Sequence, residues 1–259
     1  MTTAARRRSR ARLRLDELLV ERGLAPDAER ARALVLAREV RVAGAVATRP
    51  AEAVAAGVAL EVRERPRYVS RGGDKLASVL DRMGLDVRGL RCLDVGASTG
   101  GFSDCLLQRG AREVVAVDSG YGQLAQRLRD DPRVEVRERT NARSLEPLDP
   151  PADLAVVDVS FISLTAVLPA VLRSLRPGAD VLALGKPQFE ARREQVQRGG
   201  VVHDATVHAD VVGKVAAWAL DRGLRVRGVH RSPLTGPAGN REFFLWLRLP
   251  AAPAARGAS

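Results

Sequence analysis

From residue 69 onward the chain alternates short apolar runs of strand length with segments of helical periodicity. Runs such as Val114-Val115-Ala116-Val117 and Leu154-Ala155-Val156-Val157 have no polar face, so strands made from them must be covered on both sides. Helices crossing between parallel strands supply that cover. The pattern predicts an α/β domain with a Rossmann-like sheet of seven strands, at residues 90–95, 114–117, 134–136, 154–157, 181–184, 225–230 and 243–249. Helices are expected around 104–108, 124–128, 164–175 and 207–221. In such sheets ligands bind beyond the carboxyl ends of the strands.

Residues 12–63 read differently. Leu15, Leu18 and Leu19, then Ala28, Ala31, Leu34, Val35 and Leu36, give two short helical patterns broken at Gly23-Leu24-Ala25-Pro26. Short strands follow at 40–44 and 57–62. This small α+β order, with its opening Arg14-Leu15-Asp16 and its Gly44 turn, resembles the S4 RNA-binding domain. Glu29 and Ala43 stand where that family has serine and asparagine. Residues 64–68, Glu64-Arg65-Pro66-Arg67-Tyr68, read as an extended linker, because proline restricts the residue before it. Residues 69–249 form the larger domain, and 250–259, rich in Pro, Ala and Gly, a disordered tail.

A net charge of +11 and a pI near 11.0 call for a polyanionic partner, and nucleic acid leads because arginine matches phosphate with a bidentate fork. Arg14, Arg30, Arg41, Arg67 and Arg71 are the candidate RNA contacts. A membrane surface has less behind it, since no spanning apolar run or basic amphipathic helix with aromatic anchors is present. The basic start lacks the apolar stretch of a secretory signal, so a cytoplasmic location is expected. Cys92 and Cys105 read as reduced packing residues. The spacing of His203, His208 and His230 offers no metal site.

Among 42 basic side chains lysine occurs only at 75, 186 and 214. Arginine serves surfaces and phosphates at least as well, but it cannot give up its proton near neutral pH, so lysine is expected where chemistry needs an amine. Chance survival is the bland alternative, and Lys214 reads as an ordinary helix position. Lys186 ends an apolar run at Leu184-Gly185-Lys186-Pro187, and Asp158 ends another at Val156-Val157-Asp158. Charged strand ends of this kind mark a site more often than a core, with a cap or surface ion pair as the alternative. If strand 243–249 runs antiparallel to its neighbours, Glu242 enters the same crevice.

The first strand of the larger domain runs into Asp94-Val95-Gly96-Ala97-Ser98-Thr99-Gly100-Gly101-Phe102. Glycines there allow close backbone approach, and the next helix offers unpaired N–H groups. Asp118, at the end of the second strand, suits the two hydroxyls of a ribose. Residue pattern alone leaves S-adenosylmethionine and NAD both open, against a plain glycine turn with a capping Asp118.

Tyr68-Val69-Ser70-Arg71-Gly72-Gly73, the glycine loop, Asp158-Val159-Ser160-Phe161-Ile162-Ser163-Leu164, Lys186-Pro187-Gln188-Phe189-Glu190 and Gly239-Asn240 with Glu242 resemble the TlyA, or hemolysin-A-like, ribosomal RNA methyltransferases over nearly the whole chain. That resemblance implies an S4 domain joined to an FtsJ-like fold. It also implies methyl transfer from S-adenosylmethionine to the ribose 2′-hydroxyl of cytidine in ribosomal RNA or ribosomal subunits, with no obligate protein partner. The family's Lys-Asp-Lys-Glu tetrad falls on Lys75, Asp158, Lys186 and Glu242, with Lys186 as base and Lys75 on the hydroxyl. Asp94, Gly96, Ser98, Thr99, Gly100, Asp118 and Asn141 are implied at the cofactor. Gly185 stands where relatives often have a bulkier residue. An NAD oxidoreductase would leave the charged strand ends unexplained, a noncatalytic ribosome-assembly protein would bind RNA without transferring methyl groups, and a pore-forming hemolysin would need an inserting segment.

Overall fold

A computed structural model describes residues 12–63 and 66–252, and the chain divides into two compact units between residues 65 and 66. Residues 64 and 65 of the linker and 253–259 of the tail therefore lie outside the described residues. The first unit runs β1 (Arg12–Arg14), α1 (Leu15–Glu21), α2 (Ala28–Leu36), β2 (Val40–Val42), β3 (Ala45–Val46), β4 (Ala53–Ala55) and β5 (Leu60–Val62). Asp27 caps α2 by accepting the Arg30 amide at 2.7 Å. Helices this short are not stable alone. They hold because Leu15, Leu18, Leu19, Ala31, Leu34 and Val35 pack with Val40 and Val54. β2 lies between β3 and β5, while β1 pairs with β4 in a separate ribbon. The expected strand 57–62 starts only at Leu60, because Val58 N closes a turn on Ala55 O. Ala43 and Gly44 are both left-handed, at φ 49° and 83°. Asparagine tolerates that region better than alanine, so Ala43 carries a local cost.

The second unit runs α3 (Arg71–Met83), β6 (Arg91–Val95), α4 (Gly101–Gln108), β7 (Glu113–Val117), α5 (Gln126–Arg129), β8 (Val134–Arg137), β9 (Ala152–Val157), α6 (Leu164–Arg173), β10 (Leu175–Gly185), α7 (Pro187–Glu190), α8 (Ala205–Leu220), β11 (Arg225–Arg231) and β12 (Phe243–Arg248). Its seven strands lie in the order β11-β12-β10-β9-β6-β7-β8. β12 is antiparallel to both its neighbours, and the pairs from β10 to β8 are parallel. This is the mixed α/β sheet that the alternating pattern predicts.

Both sheet faces are apolar, as the unbroken runs require. Leu93, Val115, Val157 and Val181 pack under Val167 and Val171 of α6 and Val215 of α8. Cys92, Val114, Leu154 and Leu182 pack under Leu76 and Leu80 of α3 and Phe102 and Leu106 of α4. Two expectations are corrected. The helix expected over 164–175 ends at Arg173, and Leu175 already belongs to β10. Helix α3 was not expected at all, because Gly72-Gly73 hides the spacing of Leu76, Val79, Leu80 and Met83 behind Ser70. Among the described residues no helix is long and apolar enough to cross a membrane.

Candidate active site

A cleft opens at the carboxyl ends of β6, β7 and β9, beside the turn that joins β6 to α4. Gly96, Ser98 and Gly100 hold φ values of 87°, 49° and 96°, and a Cβ added to Gly96 would sit 2.4 Å from Asp158 O. Glycine is therefore required where β6 leaves the sheet beside β9. One cavity of 610 Å³ is lined by Gly96, Ser98, Asp118, Gln123, Arg139, Asn141, Asp158 and Phe161, among others. A second, of 290 Å³, shares Gly96, Ser98 and Asp158 with it and adds Ser70, Arg71, Gly72, Lys75, Thr99 and Pro237. The first turns of α3 and α4 have no side-chain cap, and Arg71, Gly72, Gly101 and Phe102 of those turns line this second cavity.

Asp118 organises the turn as well as lining it. Its Oδ2 accepts from Ser98 N at 2.8 Å and its Oδ1 from Gly120 N at 2.7 Å. Each oxygen keeps a second lone pair, enough for two ribose hydroxyls. Asn141 combines both readings of its position: its Oδ1 caps Arg143 N at 3.0 Å while the residue lines the larger cavity. Two predicted cofactor residues do not line the cleft. Asp94 is fully buried and accepts from Ser103 Oγ at 2.6 Å, and burial pushes its carboxyl up to about 7 despite that bond. Gly100 faces α5, where a Cβ would lie 2.2 Å from Leu128 Cδ1, so its glycine serves packing.

The four charged candidates arrive as two ion pairs. Lys75, carried by α3, donates to Glu242 Oε2 at 2.6 Å, and both side chains are buried. Glu242 reaches the site because β12 is antiparallel and its start therefore lies at this end of the sheet. Lys186 Nζ lies 2.6 Å from Asp158 Oδ1, off the hydrogen-bonding direction, and donates to Ser160 Oγ at 2.9 Å. Lys75 and Asp158 line the smaller cavity, with Glu242 packed behind Lys75. Gly185 accommodates the close return of β12: an added Cβ would meet Leu245 Cδ1 at 3.1 Å and Phe243 O at 3.3 Å. Lys214 is no idle surface residue, since it donates to Glu190 O at 3.2 Å.

Sequence reading missed Phe161 and Phe189. Phe161 is 90% exposed at the cleft with a left-handed φ of 64°, and its ring meets Phe189 at 4.9 Å. A large exposed aromatic in that conformation is rare enough to mark function, but only coordinates reveal exposure. Of the five arginine candidates, Arg71 lines the smaller cavity and donates to Thr235 O at 3.1 Å, and exposed Arg67 lies over Tyr68 at 5.1 Å. In the first unit Arg30 and Arg41 are exposed. Arg14 is spoken for in part: it bonds Asp16, which Arg32 also contacts, and the two guanidinium groups, Arg14 first, hold that buried carboxyl at about 2. Among the described residues no cluster of His, Cys, Asp and Glu could hold a metal.

The family model described as FtsJ-like methyltransferase matches residues 68–249, and the S4 domain model matches 13–60. The chain is 52% identical over 242 residues to the 16S/23S rRNA (cytidine-2′-O)-methyltransferase TlyA of Mycobacterium tuberculosis, covering 92% of this chain and 90% of that protein. A solved structure from Streptococcus thermophilus that carries a hemolysin name is 42% identical, with a TM-score of 0.70, over 93% of this chain and 90% of that one. An S-adenosylmethionine-dependent methyltransferase from Mesorhizobium loti, 17% identical with a TM-score of 0.52 over 68% of this chain and 99% of that one, shares the fold.

Proposed function

The chain belongs to the FtsJ-like methyltransferase family, in its TlyA branch, and from that premise we propose that it methylates the ribose 2′-hydroxyl of cytidine in ribosomal RNA, using S-adenosylmethionine. The observation that carries the reading is the pair of lysine–carboxylate contacts, Lys75 with Glu242 and Lys186 with Asp158, of which Lys75 and Asp158 line a cleft that begins at a glycine turn.

The residues present suit the methyl donor. Asp118 would take its ribose, Asn141 and the wall of the larger cavity its adenine, and Gly96, Ser98 and Thr99 its methionine end, with the uncapped amides of α3 and α4 near the carboxylate. When bound, it supplies an electrophilic methyl group. Asp94 and Gly100 shape the turn from beneath. A ribose hydroxyl is a very weak acid, so its proton must leave as the oxygen reacts; Lys186, an amine, takes it where a guanidinium could not. Lys75 holds the hydroxyl and stabilises charge growing on the oxygen, while Asp158 and Glu242 fix the two amines. Much of the rate comes from holding the reacting atoms together.

RNA is favoured as substrate by the arginines on the cleft wall. Arg139 lines the larger cavity and Arg71 the smaller, and neither has a carboxylate partner among the described residues. The S4-like unit, residues 12–63, adds a second RNA-contacting surface through Arg30 and Arg41. Purified protein incubated with labelled S-adenosylmethionine and ribosomal subunits lacking the modification should leave label on cytidine as an alkali-resistant 2′-O-methyl group. RNA binding with no transferred label would favour the noncatalytic assembly role, and tight NAD binding an oxidoreductase.

A further inference from the structure

Glu190 is a carboxylate buried beside the site that none of the chemistry above uses. It closes α7, the single turn that begins directly after Lys186. Its Oε1 accepts from Leu164 N at 2.5 Å and its Oε2 from Ser163 Oγ at 2.6 Å, so it sits on the amino end of α6. A negative charge there is favoured by the helix dipole and by the otherwise unpaired amide. Lys214, the third lysine of the chain, approaches Oε2 to 3.8 Å from α8 while holding the Glu190 carbonyl.

What this carboxylate joins gives it a role. The parallel ladder between β9 and β10 stops at Val157 and Ala183, and among the described residues no backbone hydrogen bond links segment 158–163 to segment 186–190. Side chains alone set their register: Lys186 with Asp158 and Ser160, Phe161 with Phe189, and Glu190 with Ser163 and Leu164. Lys186 must exchange a proton and Phe161 is exposed, so neither makes a firm anchor. Glu190, buried and doubly bonded, does.

We infer that Glu190 is a positioning residue, which locks the loop after β9 to the turn after β10 and so fixes Lys186 against Asp158 and Ser160. The inference rests on Lys186 being the base. Glu190→Gln in the full chain should lower kcat about 10- to 100-fold, as expected for a misplacement near 1 Å, with KM for S-adenosylmethionine changed less than about twofold. The pH profile of kcat should shift as well, because the distance from Lys186 to Asp158 changes. Val171→Ala, a core change in α6, provides a variant with a matched loss of Tm, and it should leave both the profile and kcat in place. Ser163→Ala, which removes one donor, should move both readouts the same way by a smaller factor, and it replaces Glu190→Gln if that variant does not fold.

Unchanged kcat and profile in Glu190→Gln, or the same changes in Val171→Ala, would overturn the proposal. So would a crystal structure of Glu190→Gln in which Lys186 keeps its contacts with Asp158 and Ser160. That structure decides the matter even if the wild-type protein transfers no methyl group, an outcome that would sink the functional reading by itself.

Discussion

The two ends of the central sheet both carry ion pairs, and the pairs beside the cleft are built from a different cation. At the amino ends Arg91 is buried between Glu113 and Glu135, and Arg176 meets Asp153 at 2.5 Å. At the carboxyl ends the pair on Glu138 after β8 still uses an arginine, Arg129, but beside the cleft the cations are Lys75 and Lys186, each against one carboxylate. A guanidinium with several fixed donors ties strands together and stays charged, whereas an amine makes a point contact and can move a proton. In a chain that otherwise uses arginine, lysine stands beside the cleft, where the proposed reaction needs an amine.

The sharpest way to break this comparison is to exchange the cations. Lys186→Arg should lower single-turnover methylation by about 10² to 10⁴, the usual worth of a general base, while cofactor affinity stays nearly intact. Arg91→Lys, the reverse exchange, should cost about 1–2 kcal/mol of stability from lost hydrogen bonds and leave kcat in place. An active Lys186→Arg protein would remove Lys186 as base, and an inactive, fully stable Arg91→Lys protein would erase the distinction between the ends.

A second contrast sets the S4-like unit against the sheet domain. A chain lacking residues 1–63 should bind S-adenosylmethionine as before but lose RNA affinity, with a shallower dependence on salt because fewer phosphates are neutralised. If RNA affinity and salt slope are unchanged, the first unit is not an RNA reader. Loss of cofactor affinity would instead show that the segment around Arg67 couples the two binding events.

Within the cleft, Asp118→Ala should weaken S-adenosylmethionine binding about 10- to 100-fold through lost charged hydrogen bonds, with NAD bound by neither protein in a calorimetric titration. The smallest effect is on stability and comes from Asp94, which lies under the same turn. A carboxyl raised on folding contributes stability that is fully present below the ordinary carboxylate range and is lost as pH rises through its folded value, here about 7. Denaturant titrations at pH 5 and pH 8 should therefore differ by on the order of 2 kcal/mol more in the wild type than in Asp94→Asn. Equal differences would mean that Asp94 is ionised throughout.

The sequence by itself determined the sheet and where most of the candidate site residues fall. Unbroken apolar runs force strands covered on both faces, and a lysine or aspartate ending such a run has only the sheet's carboxyl end to occupy, which is how Asp158 and Lys186 were legible. Asp118 was legible for the same reason. Lys75 was visible only through its rarity and the family motif, since its helix begins with two glycines that mask the apolar spacing.

Only the tertiary structure decided what a residue near the site does there. Asp94 and Gly100 belong to the same glycine motif as Gly96, yet one is buried under Ser103 and the other packs on Leu128, because a turn has an inside as well as a ligand face. Glu190 and Phe161 lie within motifs that could be quoted from the sequence, but their roles depend on two loops from different strands running side by side. Periodicity specifies which side of its own element a residue occupies. Which side chain from another element meets it there is set by the packing of the whole fold.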